Sequence, residues 1–169
     1  MFLAPEIPTT FRRASLPDGE AGIFTSLRIM RRMIDQYKAD PLIREAAIRV
    51  AFLTPQHDEV GEIEAVFTFV RDHIRYIKDV YNVETIATPD KTLALQVGDC
   101  DDQVVLLCSL LESIGYQTKM VIESYGADAG WEHVYCQVCL EGTWIALDPT
   151  ESVAAGWQPD GAVARWVEP

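Results

Sequence analysis

GDCDDQVVLLCSLLESIGYQTKMV, residues 98–121, changes its period part-way. Through Ser113 its apolar residues follow a helical spacing, and Gly115 stands where a helix C-terminus needs a permissive residue. Beyond Gly115 the text alternates. KMVIESY, HVYCQVCL and TWIALD read as three strands, and Glu141-Gly142 between the last two predicts a tight hairpin. Asp99 is placed to cap the helix, which puts Cys100 in its first turn.

Upstream, helical patterns dominate. Ser26 is a candidate N-cap for SLRIMRRMIDQYKAD, with Leu27, Met30, Ile34 and Tyr37 on one face. Asp40-Pro41 restarts a helix carrying Ile43, Ala47, Val50 and Ala51, and Pro55 ends it. A third helix is expected over 61–74, with Ile63, Val66, Phe67 and Val70 inward. RYIKDVYNVETIATPDKTLAL is less periodic and reads as a long connection in which Asp90 caps a short helical turn. Helices first and an antiparallel sheet afterwards indicate an α+β domain. The expected division is an extended N-terminal arm over 1–25, the domain over 26–150, and a tail over 151–169 that packs on the same domain.

The chain has 169 residues, enough for one domain with a real core. No window is long and apolar enough for a membrane span, and Pro5 and Pro8 interrupt the N-terminus before it could form the apolar run of a secretory signal. A cytoplasmic protein without a membrane partner is expected. The net charge of −12 repels phosphate backbones, which argues against nucleic acid and mildly favours neutral or basic partners.

Cys100 is the residue whose setting asks for chemistry. Unpaired N–H groups and the helix dipole at a helix start favour a thiolate and could hold an oxyanion. Asp99, Asp101 and Asp102 oppose that thiolate, so a histidine partner is required. His133 opens a strand after the Gly-rich loop YGADAGWE, and Asp148 closes the next strand. A turn at Glu141-Gly142 sets residues whose numbers sum to about 282 opposite one another, which brings His133 and Asp148 to one end of the hairpin. Nucleophile, base and orienting carboxylate are then all at element ends.

These residues, GDCDDQVVLLCSLLESIGYQTKMV and WEHVYCQVCLEGTWIALDPT, resemble the core of the transglutaminase-like superfamily, whose fold is related to the papain-like cysteine peptidases. The likeness covers 96–150 well, and the preceding helices with VRDHIRYIKD resemble small bacterial and prophage-encoded members. The resemblance implies acyl transfer through a thioester, with Cys100 as nucleophile, His133 as general base and Asp148 as its orienter. Gln96 is an oxyanion candidate by analogy with a papain-like glutamine. A protein or peptide amide is the implied substrate, with hydrolysis favoured over amine transfer, and no metal or cofactor is implied. The rival reading is a non-catalytic or latent binding module of the same fold, including a phage structural or morphogenesis role.

Other features compete with these readings. Cys108 lies on the apolar stripe of its helix and reads as core. Cys136 and Cys139 fall on opposite faces of a strand, which suits neither a redox pair nor a zinc knuckle. The aspartates could suggest a cation site, but a helix start spreads consecutive side chains apart; Asp101 and Asp102 are instead candidates for a basic substrate group or an anchoring role. Trp131 and Trp144 are candidates for cleft walls, Trp144 equally for the core. His57 and His73 read as surface or satisfied histidines.

Overall fold

The computed structural model describes residues 17–55, 58–78, 85–126 and 130–169. The element order is α1 (Glu20–Tyr37), α2 (Pro41–Ala51), α3 (Glu59–His73), β1 (Arg75–Tyr76), α4 (Pro89–Leu95), β2 (Val97–Gly98), α5 (Cys100–Ser113), β3 (Gln117–Ser124), β4 (His133–Leu140), β5 (Thr143–Leu147) and β6 (Ala164–Val167). The α+β reading stands. Four strands form an antiparallel sheet in the order β5-β4-β3-β6, and β1 and β2 form a short parallel pair of their own.

The helix α5 lies at the centre. Val104 to Cys108, Leu110 and Leu111 are all fully buried, and a helix that is apolar on every side belongs in an interior. The inner residues of α3 named above, Ile63, Val66, Phe67 and Val70, pack into the same core. Asp40 caps α2 as its sequence predicts, accepting hydrogen bonds from the backbone N–H groups of Leu42 and Ile43 at 2.8 and 3.2 Å. From the sheet, Met120, Ile122, Val134, Cys136, Val138 and Leu147 face this core, while Val121, Tyr135 and Ala146 form a small second cluster on the other face.

Several boundaries differ from the sequence expectation. The helix α1 begins after Gly19, so residues 20–25 are helical rather than part of an arm, and Ser26 is buried within the helix instead of capping it. The apolar face simply continues upstream through Ile23, which packs on the core. Residues 1–16 of the expected arm lie outside the described residues, as does His57. The short helix α4 is capped by position 88, with Asp90 inside its first turn. The connection read as irregular carries β1, which pairs with β2.

The hairpin turns where expected, with positive φ at both Glu141 (49°) and Gly142 (81°), the backbone that two-residue hairpins favour. Leu140 pairs with Thr143, so partners sum to 283 rather than 282. The tail supplies the fourth strand. β6 pairs with β3, Trp166 packs edge-on against Phe24 with centroids 5.3 Å apart, and Glu168 takes a two-pronged ion pair from Arg31 at 2.8 and 2.9 Å.

Candidate active site

Three elements meet at the site: the start of α5, the start of β4 and the end of β5. Asp99 caps α5 by accepting from the Asp102 N–H at 3.2 Å, and Asp102 reaches back to the Asp99 N–H at 3.4 Å, which completes a capping box. Cys100 follows in the first helical turn. The backbone N–H of Val134, the residue after His133, points at its sulfur together with the N–H of Asp101. The helix start and the strand start are therefore joined through the sulfur.

His133 Nε2 lies 2.7 Å from Asp148 Oδ2. The Asp148 side chain is fully buried, and its other oxygen accepts from the Thr150 N–H at 3.1 Å and the Thr150 hydroxyl at 2.7 Å. That is a carboxylate fixed on one side by the DPT turn and aimed on the other at the imidazole. Continued past β5, this register sets Asp148 opposite Tyr135, two residues from His133, so it lies diagonally from the imidazole and still within hydrogen-bond reach. Burial works against the charged imidazole, but the Asp148 hydrogen bond and the charges of Asp148, Glu123 and Glu151 outweigh it and raise the His133 pKa above its ordinary value.

The aspartates oppose a thiolate as their positions imply, and burial, which the sequence does not show, opposes it more strongly. Burial pushes Cys100 well above the usual thiol range, Asp101 and Asp99 push it further, and the two N–H groups offset only part of this. The Sγ–H instead faces Asp101 Oδ1 at 3.8 Å. The balance of these influences favours the protonated thiol, and the helix end alone does not reverse it.

Of the remaining candidates, Asp102 is turned inward. It is nearly buried, and its Oδ1 accepts from the Ala87 N–H at 2.6 Å, which ties the segment before α4 to the start of α5. Gly98 is required beside it, because a Cβ there would lie 2.6 Å from the Asp102 Cβ. Gln96 is exposed in the left-handed turn after α4, with its carbonyl bonded to the Arg75 N–H. Trp131 is partly buried against the main core. Trp144 is set away from the site: it pairs with Cys139 near the hairpin turn and lies under the Lys119 ammonium at 4.7 Å, because it stands four positions before Asp148 along an extended strand.

Cys108 is buried with its sulfur 3.3 Å from that of Cys136, a proximity the sequence did not signal, while Cys139 lies on the opposite face of the strand and is only partly buried. His73 hydrogen-bonds the Phe69 carbonyl at 3.1 Å and stacks on its ring. Two surface cavities of about 400 Å³ lie elsewhere, one lined by Glu59, Glu62, Tyr116 and Cys139 and the other along 159–165. Among the described residues, no group of three or more His, Cys, Asp or Glu side chains is arranged to hold a metal ion. Sequence reasoning missed Glu123, a buried carboxylate in the strand next to His133; its only signal was an acidic residue inside an otherwise apolar alternation.

A family model of the transglutaminase-like superfamily matches residues 47–149, which takes in Cys100, His133 and Asp148. No curated protein sequence matches the chain closely enough to count as a relative. Among solved structures, the fold is similar to a candidate cysteine protease from Cytophaga hutchinsonii (TM-score 0.56, 15% identity, 78% of this chain and 47% of that one). It is also similar to a candidate protease from Parabacteroides distasonis (TM-score 0.61, 12% identity, 88% of this chain and 32% of that one). A third likeness is to the Rad4–Rad23 complex bound to a 6-4 photoproduct UV lesion (TM-score 0.53, 14% identity, 79% of this chain and 39% of that one). The chain spans less than half the length of each of these structures, and at such identities the likeness is one of fold. The matched family region and the shared fold agree: the chain belongs to the transglutaminase-like superfamily.

Proposed function

We propose that the protein is a cysteine hydrolase acting on peptide or side-chain amides through Cys100, His133 and Asp148. The observation that carries this reading is the 2.7 Å contact between His133 and the buried Asp148, next to a sulfur that receives the N–H of the residue following that histidine. With Nε2 committed to Asp148, Nδ1 remains for proton transfer. A bound substrate carbonyl brings the step about: the Cys100 proton passes to the imidazole as Sγ bonds the carbonyl carbon. The imidazolium then protonates the leaving amine as the C–N bond breaks, leaving a thioester. Water attacks this thioester to give the acid, and an amine in its place gives transfer. Asp148 keeps the imidazole in the tautomer that can accept the proton and stabilises the cation formed. The oxyanion would be held by backbone N–H groups at the start of α5.

A thiol pushed up by burial and by Asp101 and Asp99 fits substrate-triggered deprotonation. It also favours a second reading, in which the site is latent and the acidic chain serves as a binding or assembly module, including one for a phage structure with a basic face. An activated ester separates the two. Incubation with p-nitrophenyl acetate should give an acetyl adduct on Cys100, mapped by mass spectrometry, that is absent in H133A and released by water or, faster, by a primary amine. Absence of any adduct on Cys100 in the unaltered protein would remove the catalytic reading and favour the assembly module.

A further inference from the structure

On the sheet face opposite the main core, neighbouring strands set polar groups side by side. Arg165 of β6 is the register partner of Glu123 of β3, and Glu123 is the register partner of His133 of β4. His133 in turn meets Asp148 from the end of β5. The row across four strands reads guanidinium, carboxylate, imidazole, carboxylate. Directly opposed residues in a sheet have neighbouring side chains, so this adjacency follows from the pairing itself.

Glu123 is the member of the row whose position asks for a reason. Its side chain is fully buried, while Arg165 is 39% exposed. Its carboxylate accepts from the Tyr125 hydroxyl at 2.8 Å, the Tyr135 hydroxyl at 3.1 Å and Arg165 Nε at 2.5 Å. Arg165 also donates to Gln158 at 2.9 Å, and the Tyr135 ring lies 6.2 Å from the His133 ring at 28°. Buried ion pairs are often replaceable by apolar residues without loss of stability, so this assembly is weakly explained as a stabilising device. It stands, however, beside an imidazole whose charge must change.

We propose that Glu123 is a second positioning carboxylate for His133, acting from β3 as Asp148 acts from β5, and that Arg165 on the C-terminal strand sets how much of its field the imidazole feels. This rests on the reading of His133 as general base. The other carboxylate acting on that imidazole is Glu151 beyond β5; Tyr125 and Tyr135 bond Glu123, Glu132 precedes His133 in the chain, and Asp99 and Asp101 act on the Cys100 thiol at the start of α5. Glu123 and Glu151 join Asp148 in favouring the charged imidazole against burial. What distinguishes Glu123 is a cation supplied by another strand, which makes its influence adjustable from the last residues of the fold.

The test is an NMR titration of the His133 imidazole in the full chain, comparing the unaltered protein with R165Q, R165K, E123Q and the double variant E123Q/R165Q. Removing the guanidinium should raise the imidazole midpoint by about half to one pH unit, and R165K, which restores a cation, should bring it back. E123Q should lower the midpoint by a similar amount, and adding R165Q to it should change little, because the arginine acts through the carboxylate. Arg165 lies on an exposed edge, so its variants decide the matter even if E123Q does not fold. A midpoint that stays or falls in R165Q, or an R165K indistinguishable from R165Q, overturns the proposal. The readout is the imidazole itself, so an unmoved midpoint beside an intact acetyl adduct on Cys100 refutes this inference alone. A missing adduct beside a midpoint that moves as described refutes the catalytic reading instead.

Discussion

Replacing Asp102 by alanine separates an anchoring role from a substrate contact. In the folded protein its carboxylate serves two backbone donors, Ala87 N–H at 2.6 Å and Asp99 N–H at 3.4 Å. Alanine leaves both without that acceptor in a partly buried setting. An unsatisfied donor costs about 1–3 kcal/mol, and the longer bond belongs at the low end, so the combined loss is about 2–4 kcal/mol. For a domain of this size each kcal/mol lowers the melting temperature by roughly 2–4 °C, which gives a fall of roughly 5–15 °C. D102N, which keeps one acceptor oxygen for Ala87, should fall between. Calorimetry or circular dichroism during heating reads the effect directly. The reasoning fails if D102A melts within about a degree of the unaltered protein, and a variant of unchanged stability that loses only turnover would return Asp102 to the substrate.

Gly98→Ala drives a new Cβ to 2.6 Å from the Asp102 Cβ, and overpacking of this kind costs about 1–3 kcal/mol; urea unfolding should show it, and an unchanged midpoint would contradict the tight approach. His133 has a folded-state pKa above its ordinary value, so native protein binds more protons than unfolded protein between the two values. The stabilisation it gives is therefore fully present below about pH 6.5 and is lost as pH rises through the folded value. The stability difference between the unaltered protein and H133Q should shrink from about pH 6 to about pH 9; a difference that grows would reverse the assignment. Asp148→Asn offers an amide donor where Nε2 had a carboxylate, and loss of a charge-assisted bond of about 1.5–3 kcal/mol should lower the imidazole midpoint by roughly one to two units. An unmoved midpoint by NMR would show that Asp148 does not hold the charge.

The parts of the fold with strong local chemistry were readable from the chain. Asp40-Pro41, Asp99 before Cys100, Gly115, and Glu141-Gly142 each carry a cap or turn whose geometry depends on nearby residues only. His133 and Asp148 could be brought together because the hairpin's short turn fixes its register to within one residue. The start of α1 lies upstream of Ser26 because tertiary packing of Ile23 and Leu27 carries the helix through Gly22 and Thr25, residues of low helix propensity. β6 was missed for another reason. Its four residues have no turn partner close in sequence, and their pairing with β3 is set by long-range contacts such as Arg31–Glu168 and Arg165–Glu123. The same limit applies at the site: the opposition of the aspartates to a thiolate is legible in the sequence, but burial is a property of the assembled fold, and here it outweighs the backbone N–H groups at the sulfur. Trp144 shows the converse, since nearness to Asp148 in sequence becomes distance along an extended strand.

The central claim is that Cys100 loses its proton to His133. Iodoacetamide labelling of native protein across roughly pH 5–10, mapped by peptide to each cysteine, tests it with H133A alongside. The Cys100 rate should rise with deprotonation of His133, with a midpoint above the ordinary imidazole value of about 6.5, and H133A should lose that phase and keep only an alkaline limb. A Cys100 rate profile identical in the two proteins would contradict the account.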